Sequence, residues 1–166
     1  MNRKGFTLME LLLVVAVLAI VAAAAAPTFF GGAQDAMNEA KKASFMSAYQ
    51  NAMSGANIMT SIAASKGVLP ADDQDLTSTA LDGKKLNDYA PLSARIFKNR
   101  AGTQNYAFGI YYKKATNTES SKVVAFYNTI ENTTTEPTYA AANEIADPND
   151  ATNGLEKKWK TINGDN

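Results

Sequence analysis

Lys4-Gly5-Phe6-Thr7-Leu8-Met9-Glu10, followed by the apolar run Leu11–Ala26, is the stretch from which the rest of the chain is read. From Phe6 to Ala26 only Thr7 and Glu10 are polar in 21 residues. As a helix this segment is about 32 Å long, enough to cross a hydrocarbon core of about 30 Å, so the pattern predicts a membrane helix. A cleaved secretory signal has a shorter apolar core, of about 7–15 residues, ending in small residues. Ala22–Ala26 before Pro27 imitates such an ending, but Glu10 argues against that reading. A carboxylate costs about 2.5–3.5 kcal/mol at mid-bilayer unless it finds a partner. The bland explanation places Glu10 near the membrane surface, favoured by the positive end of the helix dipole. The sharper one is a cut after Gly5, which creates a charged amine on Phe6. Within one chain that amine lies a full turn from Glu10, whereas a neighbouring helix staggered along its axis brings the two together.

Arg3-Lys4-Gly5-Phe6-Thr7-Leu8-Met9-Glu10, the apolar run and Pro27 resemble the N-terminus of type IV pilins and of type II secretion pseudopilins. The likeness is close over residues 1–30 and general over 31–65. It implies that prepilin peptidase cuts after Gly5 and that Phe6 becomes the N-methylated mature N-terminus. It also implies assembly roles for Thr7, Glu10 and Pro27: Glu10 neutralises the amine of an adjacent subunit, and Pro27 falls at the family's helix-kinking proline. Residues 1–5 are then the leader, 6–30 the transmembrane and filament-core helix, and 31–166 a periplasmic or extracellular head. Arg3 and Lys4 hold the short leader on the cytoplasmic side.

The expected fold class is α+β: a long N-terminal α-helix, membrane-spanning in its first half and amphipathic in its second, packed on a C-terminal antiparallel β-sheet of about four strands. The expected function is that of a structural subunit in a homo-oligomeric helical filament, a type IV pilus-like fibre. Its partners would be prepilin peptidase, the pilus or secretion assembly machinery and, before assembly, the inner membrane. The chain would begin as a single-pass precursor there and end in an extracellular filament serving motility, adhesion, DNA uptake or secretion. The alternatives are a type II secretion pseudopilin and, from another class, a membrane-tethered binding module or adhesin that does not polymerise.

Composition fits around this reading. The 166 residues allow one soluble head beyond the apolar segment. Net charge is zero, and the 16 basic side chains less Arg3 and Lys4 leave 14 against 16 acidic ones, a balance of −2. No basic face with interleaved aromatics points to specific nucleic-acid binding. There is no cysteine, so the C-terminal region, which many pilins close with a disulfide, must be fastened otherwise. With no histidine either, imidazole metal sites and Ser-His or Cys-His nucleophilic chemistry are absent. No convergent acid–base pair or phosphate loop is visible, so the expectation is a non-enzymatic protein without catalytic residues, metal or cofactor.

Along the chain, Pro27 and Gly31-Gly32 weaken the helix, since proline removes a hydrogen bond and each glycine costs about 1 kcal/mol relative to alanine. From Ala33 to Ser65, Met46, Tyr49, Met53, Ala56, Met59 and Ala63 form an apolar stripe at steps of three and four, and the methionines read as core filler. Lys66-Gly67 ends that helix, with Pro70 beyond. Val68–Arg100 is the least regular part: Asp72, Asp73 and Asp75 read as a solvated turn or a helix N-terminus, and Leu76, Leu81, Leu86, Tyr89, Leu92, Ile96 and Phe97 as anchors, with a short helix near Leu92–Phe97. Asn105–Tyr112 and Lys122–Asn128 read as strands paired across Thr116–Ser121. Leu155–Ile162 alternates in a way that predicts a last, lysine-bearing edge strand, with Trp159 covering the sheet.

Two loop motifs take their plain readings. Asn132-Thr133-Thr134 matches a glycosylation triplet but reads as coincidence in a Thr-rich loop. Asp147–Gly154 has oxygen ligands at loop spacing but departs from the calcium pattern, with Ala151 at a ligand position and no closing glutamate; it reads as Asx turns.

Overall fold

A computed structural model of the chain describes residues 8–165, and among them the side chains of Met9, residues 11–20 and residues 32–165. Helix α1, Leu8–Ser65, runs through Pro27 and Gly31-Gly32, where the sequence predicted its weakest point. The chain divides into two compact units between Glu39 and Ala40.

In the second unit, the α1 residues from Ala40 onward pack on an antiparallel sheet, giving the α+β architecture. The stripe is buried at Tyr49, Ala56, Met59 and Ala63, with Phe45, Ala48 and Ala52 completing it; Met46 and Met53 sit at its margin. Small residues alternate with large ones along this face, so the helix lies close to its neighbours. At Gly55 an added Cβ would stand 2.5 Å from Ala90 Cβ. The helix ends at Ser65 because Gly67 takes φ +69°, a left-handed turn that lets the Val68 N–H donate to Ala63 O at 2.9 Å.

The sheet has five strands: β1 Gln74–Asp75, β2 Ile96–Lys98, β3 Asn105–Lys113, β4 Lys122–Thr129 and β5 Glu144–Ile145. Two short helices, α2 Leu86–Tyr89 and α3 Leu92–Arg95, precede β2, and helix α4, Leu155–Asn163, follows β5. The β3–β4 hairpin is the expected one, with Tyr106 opposite Thr129 and Lys113 opposite Lys122. β4 carries β5 on its outer edge, while β1 and β2 share the outer edge of β3. Between those two short strands side chains stand in for backbone. Arg95 Nη1 donates to Phe108 O at 2.6 Å, and Thr77 Oγ1 accepts from Ile110 N at 2.8 Å. No buried strand group can be left unpaired without cost, and these two side chains meet that requirement.

The sheet is covered on both faces. Phe108, Ile110 and Tyr112 face α1, where Phe45, Phe97, Phe108 and Trp159 form a ring cluster with Phe45 at its centre, 5.0–5.3 Å from the other three. On the other face Ala107 packs with Leu92 and Ile130, and the segment 130–140 crosses as a strap. Arg95 holds the strap from inside, its Nη2 contacting both carboxylate oxygens of Glu136 at 2.9 Å. Asp75 Oδ2 accepts from Tyr139 N at 3.2 Å, and Asn128 Nδ2 donates to Thr138 O.

The stretch Leu155–Ile162 corrects the sequence reading: it is helix α4 and no edge strand. Strand alternation would send Trp159 and Ile162 to opposite faces. At 100° per residue, Leu155, Trp159 and Ile162 share one face and all three join the core. The left-handed Gly164, φ 73°, stops the helix, and Gly154 begins it. This helix does the fastening that a disulfide would do. Arg100 pairs with Asp165, Arg100 N donates to Asn163 Oδ1 at 2.6 Å, and Lys42 meets Glu156 at 2.6 Å.

Candidate functional site: the N-terminal helix

Within the first unit, the described side chains of α1 from Met9 to Ile20 are apolar and bare. Met9 is 81% exposed, and Leu11 to Ile20 are all exposed, Leu13 at 66% and Ile20 at 69%. Leu11, Leu12, Leu13, Val14 and Val15 are consecutive, so at 100° per residue they cover every face of the helix. A helix apolar all round is stable only when something apolar surrounds it. Among the described residues no helix is long and apolar enough to cross a membrane. The described apolar run from Leu11 to Ile20 spans only about 15 Å, half of a bilayer core.

Gly5, Phe6 and Thr7 lie outside the described residues. Glu10 and Pro27 belong to α1, and their side chains lie outside the described residues as well.

In the second unit, α1 turns a mixed surface away from the sheet. A shallow furrow of about 620 Å³ lies on it, with the short polar side chains of Ser54, Asn57 and Ser61 between Met53 and the exposed pair Ile58 and Ile62. Val68 and Leu69, just past the helix end, are also exposed.

The loops that the sequence singled out are occupied by their own hydrogen bonds. Asp72 pairs with Lys114 at 2.6 Å, and Asp73 Oδ1 accepts from Lys114 N at 2.9 Å. Asp147 Oδ1 accepts from Asn149 N at 2.8 Å and Asp150 Oδ1 from Thr152 N at 2.6 Å, the Asx turns expected there. Asn132 Oδ1 takes the Thr134 N–H at 3.0 Å and two threonine hydroxyls. Sequence reasoning missed Arg95 and Glu136, 41 positions apart, because nothing local in either segment points to the other.

Two groups at the strap are electrostatically distinct. Burial pulls the Arg95 guanidinium down from its ordinary value, and Glu136 opposes that shift. Burial pushes the Tyr139 phenol up, and its 2.8 Å hydrogen bond to Glu144 Oε2 adds to the effect.

Residues 1–26 match the family described as the prokaryotic N-terminal methylation motif, the prepilin signal shared by type IV pilins and pseudopilins. Comparison with curated proteins and with solved structures gave no match.

Proposed function

We propose that this protein is the structural subunit of a type IV pilus-like filament. The observation that carries the reading is the prepilin motif over residues 1–26, in which the described side chains of α1, Met9 and Leu11–Ile20, are apolar on every face and uncovered. Such a helix needs lipid before assembly and other helices after it. In this reading the Phe6–Ala26 segment first sits in the inner membrane as a single pass, with Met1–Gly5 on the cytoplasmic side. Prepilin peptidase cuts after Gly5, Phe6 is methylated, and the helices then leave the bilayer to bundle in a fibre core. Ala19 and Ala22–Ala26 permit close helix approach. Glu10 meets the Phe6 amine of the neighbouring subunit and sets axial register. That pair acts through specificity more than strength, since desolvating two charges offsets most of their attraction. The exposed Ile58, Ile62 and the furrow between them and Met53 give the second unit a contact surface of its own for neighbouring subunits. The chain performs no catalysis in this role.

The test is the mass of the intact protein and of its N-terminal fragment, taken from sheared cell-surface material and separately from membranes. A surface pool beginning at methylated Phe6 is the expected result. A chain confined to membranes and still carrying Met1–Gly5 in peptidase-competent cells would overturn it in favour of a tethered module. A chain beginning near Pro27 would mean an ordinary secretory signal. A processed chain recovered only from periplasmic fibres, in cells secreting through an outer-membrane channel, would assign it to a pseudopilus.

A further inference from the structure

Tyr111 on β3 and Tyr139 on the strap lie face to face, ring centroids 3.7 Å apart and planes 15° from parallel. Aromatic pairs ordinarily sit about 4.5–7 Å apart, so the ring carbons here are in direct van der Waals contact. Tyr106 and Tyr127, by contrast, are 6.2 Å apart and edge-on. Both stacked tyrosines are partly buried, each keeping some surface within reach of a soluble oxidant. The Tyr139 phenol already donates to Glu144 Oε2 at 2.8 Å, and Lys113 holds the other oxygen of that carboxylate at 2.7 Å. A phenol loses an electron more readily when a base stands ready for its proton. Phe126, edge-on to Tyr139 at 5.2 Å, holds the ring in place.

We propose that Tyr111 and Tyr139 are an oxidative cross-linking site, at which peroxide-driven one-electron chemistry joins the two rings as an intramolecular dityrosine. Each phenol gives up one electron and its hydroxyl proton, the Tyr139 proton passing through Glu144. The two phenoxyl radicals couple through the ring carbons ortho to oxygen, forming one C–C bond. The C–H bonds at those carbons then break as the rings become aromatic again, and their protons return to the phenolic oxygens. Two hydrogens leave in total, and hydrogen peroxide takes up two electrons and two protons to give two waters. The new bond ties the strap covalently to β3, in a chain that has no cysteine with which to do so. It depends on these side chains alone and stands whether or not the protein polymerises.

The experiment exposes the full-length protein, purified in detergent, to hydrogen peroxide with a haem peroxidase. The expected product is a monomer lighter by two hydrogens and carrying dityrosine fluorescence. Tryptic digestion then yields a linked pair of peptides, 101–113 with 123–157, and fragment ions place the bond at Tyr111 and Tyr139. Tyr139→Phe, which keeps the ring and its packing, loses the link. Glu144→Gln slows its formation several-fold with the same product. No loss of two hydrogens, a link that survives Tyr139→Phe, or dityrosine found only between chains would each overturn the site. An unchanged rate in Glu144→Gln would overturn the part assigned to the carboxylate.

Discussion

Arg95 is fully buried, and its charge is spent holding parts of the chain that lie far apart in sequence. Its Nε donates to Ala90 O at 2.8 Å, Nη1 to Phe108 O, and Nη2 to both oxygens of Glu136, whose side chain is 28% exposed. Removing the carboxylate leaves a buried guanidinium with carbonyl partners alone. Glu136→Ala therefore loses about 3 kcal/mol, the lower end for breaking a buried pair because Glu136 reaches solvent. Replacing both, Arg95→Met with Glu136→Gln, does not recover that loss, because the Ala90 and Phe108 carbonyls that Arg95 serves are left without a donor, and urea unfolding of the full chain in detergent reads both effects. Equal stability of Glu136→Ala and the parent protein would mean that this pair does not anchor the strap. The tyrosines give a second test at this scale. Tyr49, Tyr127 and Tyr139 all hold their protons above the ordinary tyrosine range. Burial is the largest cause in each, followed by Asp147 at Tyr49, Tyr106 at Tyr127 and the Glu144 hydrogen bond at Tyr139. The folded chain thus binds more protons than the unfolded one at alkaline pH. Their contribution is whole below about pH 10 and is lost as pH rises toward the folded values. An absorbance titration should show these three ionising late, and Tyr139→Phe should flatten the alkaline loss of stability.

At the scale of elements, the β3–β4 hairpin and the long helix were legible because their periods are unambiguous. Tyr106, Phe108, Ile110 and Tyr112 recur at two, whereas the buried α1 positions recur at three and four. Helix α4 was not, because Leu155–Ile162 satisfies both periods over so short a length, and only the place of Trp159 against Phe45, 5.3 Å away, decides between them. Strands β1 and β5, two residues each, carry no periodic signal at all. They exist because β3 and β4 offer edges and the surrounding loops are tied down. Gly109 shows how tightly β3 is held. A Cβ there would stand 2.3 Å from Phe126 Cζ and 2.6 Å from Thr77 Oγ1, so Gly109→Ala forces apart the strap side of the sheet and the Thr77 bridge. The expected cost is about 3 kcal/mol, read as a lower unfolding midpoint. Gly32→Ala, where nothing lies within 4 Å, should instead be neutral or gain up to about 1 kcal/mol of helix stability.

At the scale of the whole molecule, the proposed filament role makes Glu10 the decisive side chain. Glu10→Ala should leave membrane insertion intact, since it removes a charge from an apolar segment, and cut incorporation into surface fibres at least tenfold. Fibre yield in sheared fractions, measured against the membrane pool, checks this, and normal yield would remove the register role. The sequence by itself determined the processing motif, the apolar segment, the α+β class and the central hairpin. Each of these depends on residues close together along the chain, where spacing alone states the physics. Only the tertiary structure decided that Leu155–Asn163 is a helix, that the strap from 130 to 140 covers the second face of the sheet, and that Arg95, Glu136, Tyr111 and Tyr139 meet there. Those features depend on pairing across long separations, where the partner that makes a buried charge or a stacked ring stable is absent from the local sequence.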